Sequence, residues 1–260
     1  MAQSPVPPDR IGAMPIDPLL ARARRLWEDL AGVPVPFLSS GGVSVAVSPE
    51  SGVCPVGWVG VVALGGSAIV TAPSDSAAAI VRDAVRGLPA EAVVDAASVR
   101  AVLPVSRVLG PAVLSYLSPE RFRPVPAGLS TVEQLPAGDR ELRRLEEAAG
   151  PEDASEAGLD EIMSPAFVVR EHGQVIAAAG YRTWPCRTAH VSVLTAPQAR
   201  GRGLARATGS ATVAHALAAG LLPQWRARRP ASRRVAAALG FAELGAHLSI
   251  ELARHSPRRP

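Results

Sequence analysis

The chain has 260 residues, 48% of them hydrophobic and 19% charged, a composition that supports a buried core and excludes general disorder. Its net charge of +4 comes from 27 basic and 23 acidic residues, and every base is arginine; lysine and asparagine are both absent. A GC-rich coding sequence accounts for that bias, so the pI near 10 carries little weight as a sign of nucleic-acid binding.

Residues 1–16 are rich in proline and are expected to be disordered, with no basic and then apolar run of a secretory signal. Asp17-Pro18 opens a helix whose apolar residues Leu19, Leu20, Ala23, Leu26, Trp27 and Leu30 share one face, and Gly32 and Pro34 end it. Residues 51–74 carry no charge, but Pro55, Gly57, Gly60 and Gly65-Gly66 interrupt the run, so buried strands explain it better than a membrane span. Strands are read at 43–47, 56–64 and 68–71, followed by a helix over 76–86 capped at Pro73-Ser74-Asp75. A further strand is read at 111–117. Prolines 119, 124 and 126 then mark a domain boundary near residue 120, separating an α+β domain (17–120) from a second domain (121–253) and a flexible tail (254–260). Cys54 and Cys186 belong to no CxxC or Cys/His cluster; a reduced, cytoplasmic protein without a metal site is expected.

The second half predicts a strand at 125–132, a helix from 139 to 147, and strands at 166–170 and 174–181 around the turn Glu171-His172-Gly173. A strand over 188–195 follows, with helices at 203–219 and 231–239 and strands at 222–226 and 243–252. The informative stretch is Val193–Ala205, where a strand enters the turn Gln198-Ala-Arg200-Gly201-Arg202-Gly203 and a long helix starts at once. The first N–H groups of a helix lack intrahelical partners, its dipole is positive there, and glycines admit close approach, so this turn suits an anion. Arg200, Arg202 and Arg206 add charged donors. The turn lacks the Lys-Ser/Thr of a P-loop and the third glycine of a dinucleotide fingerprint.

Together with Ser232 and Leu239-Gly240-Phe241, the Gln198–Gly203 turn resembles the GNAT superfamily of acyl-CoA-dependent N-acyltransferases over about residues 120–252. The resemblance implies an α/β GNAT fold, a twisted mixed sheet flanked by helices, preceded here by a smaller α+β domain that could be a divergent half of the same kind. It implies acetyl-CoA as acyl donor and a primary amine as acceptor; sparse aromatics among the arginines and the interrupted apolar run argue against nucleic-acid and membrane partners, and a homodimer is left open. By resemblance, the backbone of Val193, Leu194 and Thr195 holds the pantetheine arm. The N–H groups of Arg200, Gly201, Arg202, Gly203, Leu204, Ala205 and Arg206 hold the pyrophosphate, with Arg229 and Ser232 beside it. Arg229 replaces the family's usual Asn, and Ala236 stands where many members place a Tyr that acts as general acid. His190 stands where many have a catalytic Glu, and either serves as general base or is a strand-end histidine without a role. Tyr181 is a substitute acid or an ordinary strand aromatic. The arginines at 200, 202, 206, 226, 228, 229, 233 and 234 are expected to form a solvated face with some phosphate contacts. A non-catalytic acyl-CoA binder and an arginine-rich nucleic-acid module are the rival readings.

Overall fold

The computed structural model describes residues 17–126 and 131–253. The expectations for 1–16 and 254–260, and for the middle of the strand read at 125–132, lie outside these residues.

The first half runs α1 (Pro18–Leu30), β1 (Gly42–Val47), β2 (Val59–Leu64), β3 (Ser67–Ala72), α2 (Asp75–Ala84), α3 (Ala96–Val102) and β4 (Val105–Tyr116). The second runs β5 (Glu133–Leu135), α4 (Arg140–Ala149), α5 (Pro151–Ala157), β6 (Ala166–Glu171), β7 (Gln174–Trp184) and β8 (Thr188–Thr195). It closes with α6 (Leu204–Ala218), β9 (Leu222–Ala227), α7 (Pro230–Leu239) and β10 (Ala242–Leu252). Side-chain caps fix several helix starts: Asp17 accepts from the Leu19 N–H at 2.8 Å, Asp95 from Ser98 at 2.7 Å and Asp139 from Glu141 at 2.9 Å. Each such cap stabilises by about 1 kcal/mol.

All strands among the described residues join one mixed sheet of ten, in the order β1-β3-β2-β10-β4-β9-β8-β7-β6-β5. The expected division near residue 120 therefore does not separate two sheets. β10, from the end of the chain, lies between β2 and β4 of the first half, antiparallel to both. β2 and β3 are buried along their whole length, which explains the uncharged run as interior strands. No described helix is long and apolar enough to cross a membrane.

One face of the sheet packs against α1, with Trp27, Leu26, Val62, Ile69, Leu114, Tyr116 and Leu222 in a single cluster. The other face packs against α2 and α3 at one end and against α6 and α7 at the other, where Val213, Trp225, Ala236, Leu239 and Phe241 meet. Gly240 ends α7 at φ +97°, and a Cβ there would lie 1.9 Å from the Arg121 carbonyl oxygen. Close approach of two backbones, as well as the left-handed turn, thus demands glycine in Leu239-Gly240-Phe241. Gly240→Ala is expected to destabilise by about 3 kcal/mol or more, read by urea denaturation, because backbone cannot yield as a side chain can. A loss under about 1 kcal/mol would contradict this packing.

Candidate functional site

The site begins where two parallel strands part. β8 and β9 pair at Thr188–Leu222, Ala189–Pro223 and His190–Gln224 and then separate. β8 continues along β7 as far as Thr195, and β9 along β4 as far as Ala227. The edge of Val191–Thr195 that faces β9 therefore has no strand partner, although it lies inside the sheet. Such an edge presents backbone donors and acceptors to an extended ligand. A cavity of about 830 Å³ occupies the gap and is lined from both sides of the sheet, by α5 residues such as Asp153 and by α7 residues such as Ser232 and Val235.

At its outer end the cavity meets the turn before α6. Gly201 and Gly203 both have φ +79°, and a Cβ on either would meet no atom within 4 Å. The turn thus opens onto empty space. Gly203 caps α6 without any side-chain hydrogen bond, and the Gly201, Arg202 and Gly203 N–H groups have no partner among the described residues. The α7 N-terminus also reaches the cavity, through Arg229, Ala231 and Ser232, and the Ser232 hydroxyl accepts a hydrogen bond from Trp225 Nε1 at 2.9 Å. Two helix N-termini converging on one space make a site for a polyanion.

The arginines there are less free than the sequence suggests. Asp153 on α5 is shared by Arg200 and by Arg229, the latter at 2.6 Å; Glu152 also bonds Arg229 at 3.2 Å, and Glu156 pairs with Arg228. The Arg200 hydrogen bond, with further help from Arg229, holds the Asp153 carboxyl below the usual range. Arg202 pairs with Glu171 at 2.6 Å and does not line the cavity. Arg206 lines it with no ion pair among the described residues. The expected solvated arginine face is thus largely an arginine–carboxylate network, with Arg233 bonded to Glu243 at 2.8 Å as well.

At the inner end lies His190. Its Nδ1 hydrogen-bonds Gln224 Oε1, and its ring stacks on Trp184 with centroids 4.2 Å apart. An amide oxygen only accepts, so Nδ1 carries the proton and Nε2 keeps its lone pair. Burial, then the charge of Arg226, pushes the His190 pKa down to about 3. His247 on β10 is a second cavity histidine: its Nε2 donates to the Val53 carbonyl at 2.8 Å and its ring stacks on Trp27 at 5.3 Å. Its pKa is likewise driven down to about 3, first by burial and then by Arg226. Behind the cavity and beneath α1, Trp27 Nε1 donates to Tyr116 Oη at 2.6 Å, and Tyr116 pairs in register with Gln224. Cys54 also lines the cavity; burial raises its thiol to about 11, which keeps it protonated and a poor nucleophile. Cys54 and Cys186 are both free.

The structure gathers His190, Val193, Leu194, Thr195, Arg200, Gly201, Gly203, Leu204, Ala205, Arg206, Arg229 and Ser232 around this one cavity. It does not bring Tyr181 there. Tyr181 lies on the opposite face to His190, and its hydroxyl bonds His215 Nδ1 of α6 at 3.0 Å, so it is not placed to act as an acid in the gap. Ala236 is buried in the α7 core beside Trp225 and Leu239. Sequence reasoning missed His247 and the acids of α5; Arg226 is exposed as expected, but it also lines the cavity. Alternation along β9, with Gln224 and Arg226 opposite Trp225 and Ala227, was the one available signal for a polar inner wall.

Residues 165–247 match the family model described as GNAT acetyltransferase. No curated protein sequence matches the chain. Among solved structures, one described as a GNAT-family acetyltransferase from Novosphingobium aromaticivorans is 28% identical over 56% of this chain and 65% of its own, with a TM-score of 0.46. An acetyltransferase from the GNAT family of Colwellia psychrerythraea is 17% identical over 58% of this chain and 59% of its own, with a TM-score of 0.43. A Salmonella typhimurium protein, solved with its cofactor acetyl-CoA, is 18% identical over 50% of this chain and 98% of its own, at a TM-score of 0.36. The chain spans less than two-thirds of the length of the first two.

Proposed function

We propose that this chain, whose C-terminal half is a GNAT-superfamily domain, transfers an acetyl group from acetyl-CoA to a primary amine by direct attack. The observation that carries the reading is the unpaired β8 edge running from His190 to the open turn at Gly201–Gly203. That length of free backbone, ending on unpartnered N–H groups, fits an extended arm that terminates in phosphates. Acetyl-CoA supplies an acyl group activated as a thioester. The Val191–Thr195 edge holds the arm, and the N–H groups from Gly201 to Ala205, with Arg206, hold the pyrophosphate.

His190 has its ring fixed by Gln224 and Trp184 and presents Nε2 as an acceptor. With a pKa near 3 it stays neutral, and it holds the amine by a hydrogen bond rather than storing its proton. The sequence left His190 as a general base or a histidine without a role; we propose this holding role in place of either. The ammonium first gives a proton to water; the neutral amine then attacks, a C–N bond forms, the C–S bond breaks, and one remaining amine proton ends on the thiol. Neither of the two tyrosines in the chain lines the cavity, so we assign that proton's passage to water.

Thiol release from acetyl-CoA across a panel of primary amines tests the reading. His190→Ala is expected to lower turnover by about 10²-fold, the lower end for a positioned proton-handling group. The pH profile between 6 and 8 is expected to be unchanged by the substitution, since His190 does not titrate there. A limb near pH 6.5 that disappears in His190→Ala would instead make His190 the base. Stabilisation by acetyl-CoA without thiol release for any amine would make the chain a binder.

A further inference from the structure

Arg226 is an exposed cation that lines the cavity and forms no ion pair among the described residues. It lies two residues beyond Gln224 on β9, on the same face as His190, and lines the cavity. Its neighbours Arg228 and Arg229 are paired to acids of α5, but Arg226 has neither an ion pair nor a side-chain hydrogen bond among the described residues. Its guanidinium carbon sits 5.9 Å from the Trp184 ring centroid. Surrounding protein lowers its pKa, against smaller opposing contributions from Glu161 and Tyr116, yet an arginine stays charged. The groups that share this end of the cavity, namely His190, His247, Ser249 and Cys54, are all neutral near pH 7. An unpaired guanidinium open to the cavity is free to bind an anionic group of a ligand.

We propose that Arg226 anchors the acceptor and that the acceptor is a small amine carrying a carboxylate, of the amino-acid class. The proposal rests on the acetyl-transfer reading and names the substrate class of that site. A planar guanidinium matches a carboxylate through two parallel hydrogen bonds. A single cation among neutral partners balances one negative charge, which favours a carboxylate over a doubly charged phosphate. The spacing agrees. Arg226 stands about 6.6 Å along β9 from Gln224, the residue that bonds His190, so an amine held at His190 and a carboxylate held at Arg226 belong to one short molecule. Acyl donor and acceptor then meet at the point where β8 and β9 part.

The test measures thiol release for L-amino acids against their carboxamides and decarboxylated amines, with acetyl-CoA binding followed separately by thermal shift. For the best amino acid, kcat/KM should exceed that of its carboxamide by about 10–100-fold, the range for hydrogen bonds to a charged group. Arg226→Gln should abolish that preference mainly through KM while leaving the acetyl-CoA shift in place, and Arg226→Lys should restore part of it. The retained shift shows that the variant is folded. Equal turnover of acids and carboxamides, preference for a phosphorylated amine, or no turnover of any carboxylated amine would overturn the proposal. Absence of an acetyl-CoA shift in the unaltered protein would instead overturn the reading beneath it.

Discussion

Lowering the pH from 7 to 5 is expected to remove about 4 kcal/mol of folding stability through His190 and His247. Both are neutral in the fold because burial, helped by the Arg226 charge, pushes their pKa values from the usual 6.5 down to about 3. As pH falls below 6.5 the unfolded chain takes up protons that the folded chain refuses. The contribution is therefore fully present above 6.5 and is lost progressively towards pH 3. At pH 5 the difference is about 2 kcal/mol for each histidine, at 1.36 kcal/mol per pH unit. The carboxylates held low by arginine, among them Asp153, Glu141 and Glu171, protonate at still lower pH and do not offset this. Urea denaturation at pH 7, 6 and 5 should show the decline, and His247→Gln, which keeps a donor for the Val53 carbonyl, should roughly halve its slope. A stability that is flat between pH 7 and 5 would mean that the imidazoles are not held neutral by the fold.

Replacing Gly203 with Val is expected to weaken acetyl-CoA binding by at least about 100-fold. Two costs combine. The residue has φ +79°, which a β-branched side chain adopts only with strain, and the new side chain would fill the open space onto which the unpartnered N–H groups face. The unaltered protein should gain about 2.7 kcal/mol at one hundred times the dissociation constant, and the variant should gain almost nothing at that concentration. Calorimetric titration with circular dichroism as a folding control separates lost binding from lost structure. A folded Gly203→Val protein with ordinary affinity would place the phosphates elsewhere.

The elements around the turn were legible because their signals are local. Thr188–Thr195 alternates, Gly201 and Gly203 punctuate, and α6 follows at once, so strand, turn and helix fall where the spacing puts them. Other elements were hidden for identifiable reasons. α5 reads as a polar stretch because Glu152, Asp153 and Glu156 pair with arginines just before α7 and in the turn, which no helical periodicity announces. β4 was expected to start at Pro111, which has no N–H to donate. It starts instead at Val105, because the β10 pairing shifts register between Leu109 and Ala112 and asks nothing of Pro111. The insertion of β10 beside β2 is a pairing between residues nearly 190 positions apart, as in His247 with Val62, and left no mark in either segment. The inner wall escaped for the same reason, since Arg226, His190 and His247 come from three strands whose adjacency only the sheet reveals.

A crystal structure of the protein with acetyl-CoA tests the central claim most directly. The account predicts the pyrophosphate on the Gly201–Ala205 N–H groups, the arm bonded to the free edge of Val191–Thr195, and the thioester beside His190 where β8 and β9 part. A cofactor bound outside this gap, or a gap closed by direct pairing of β8 with β9, would contradict it.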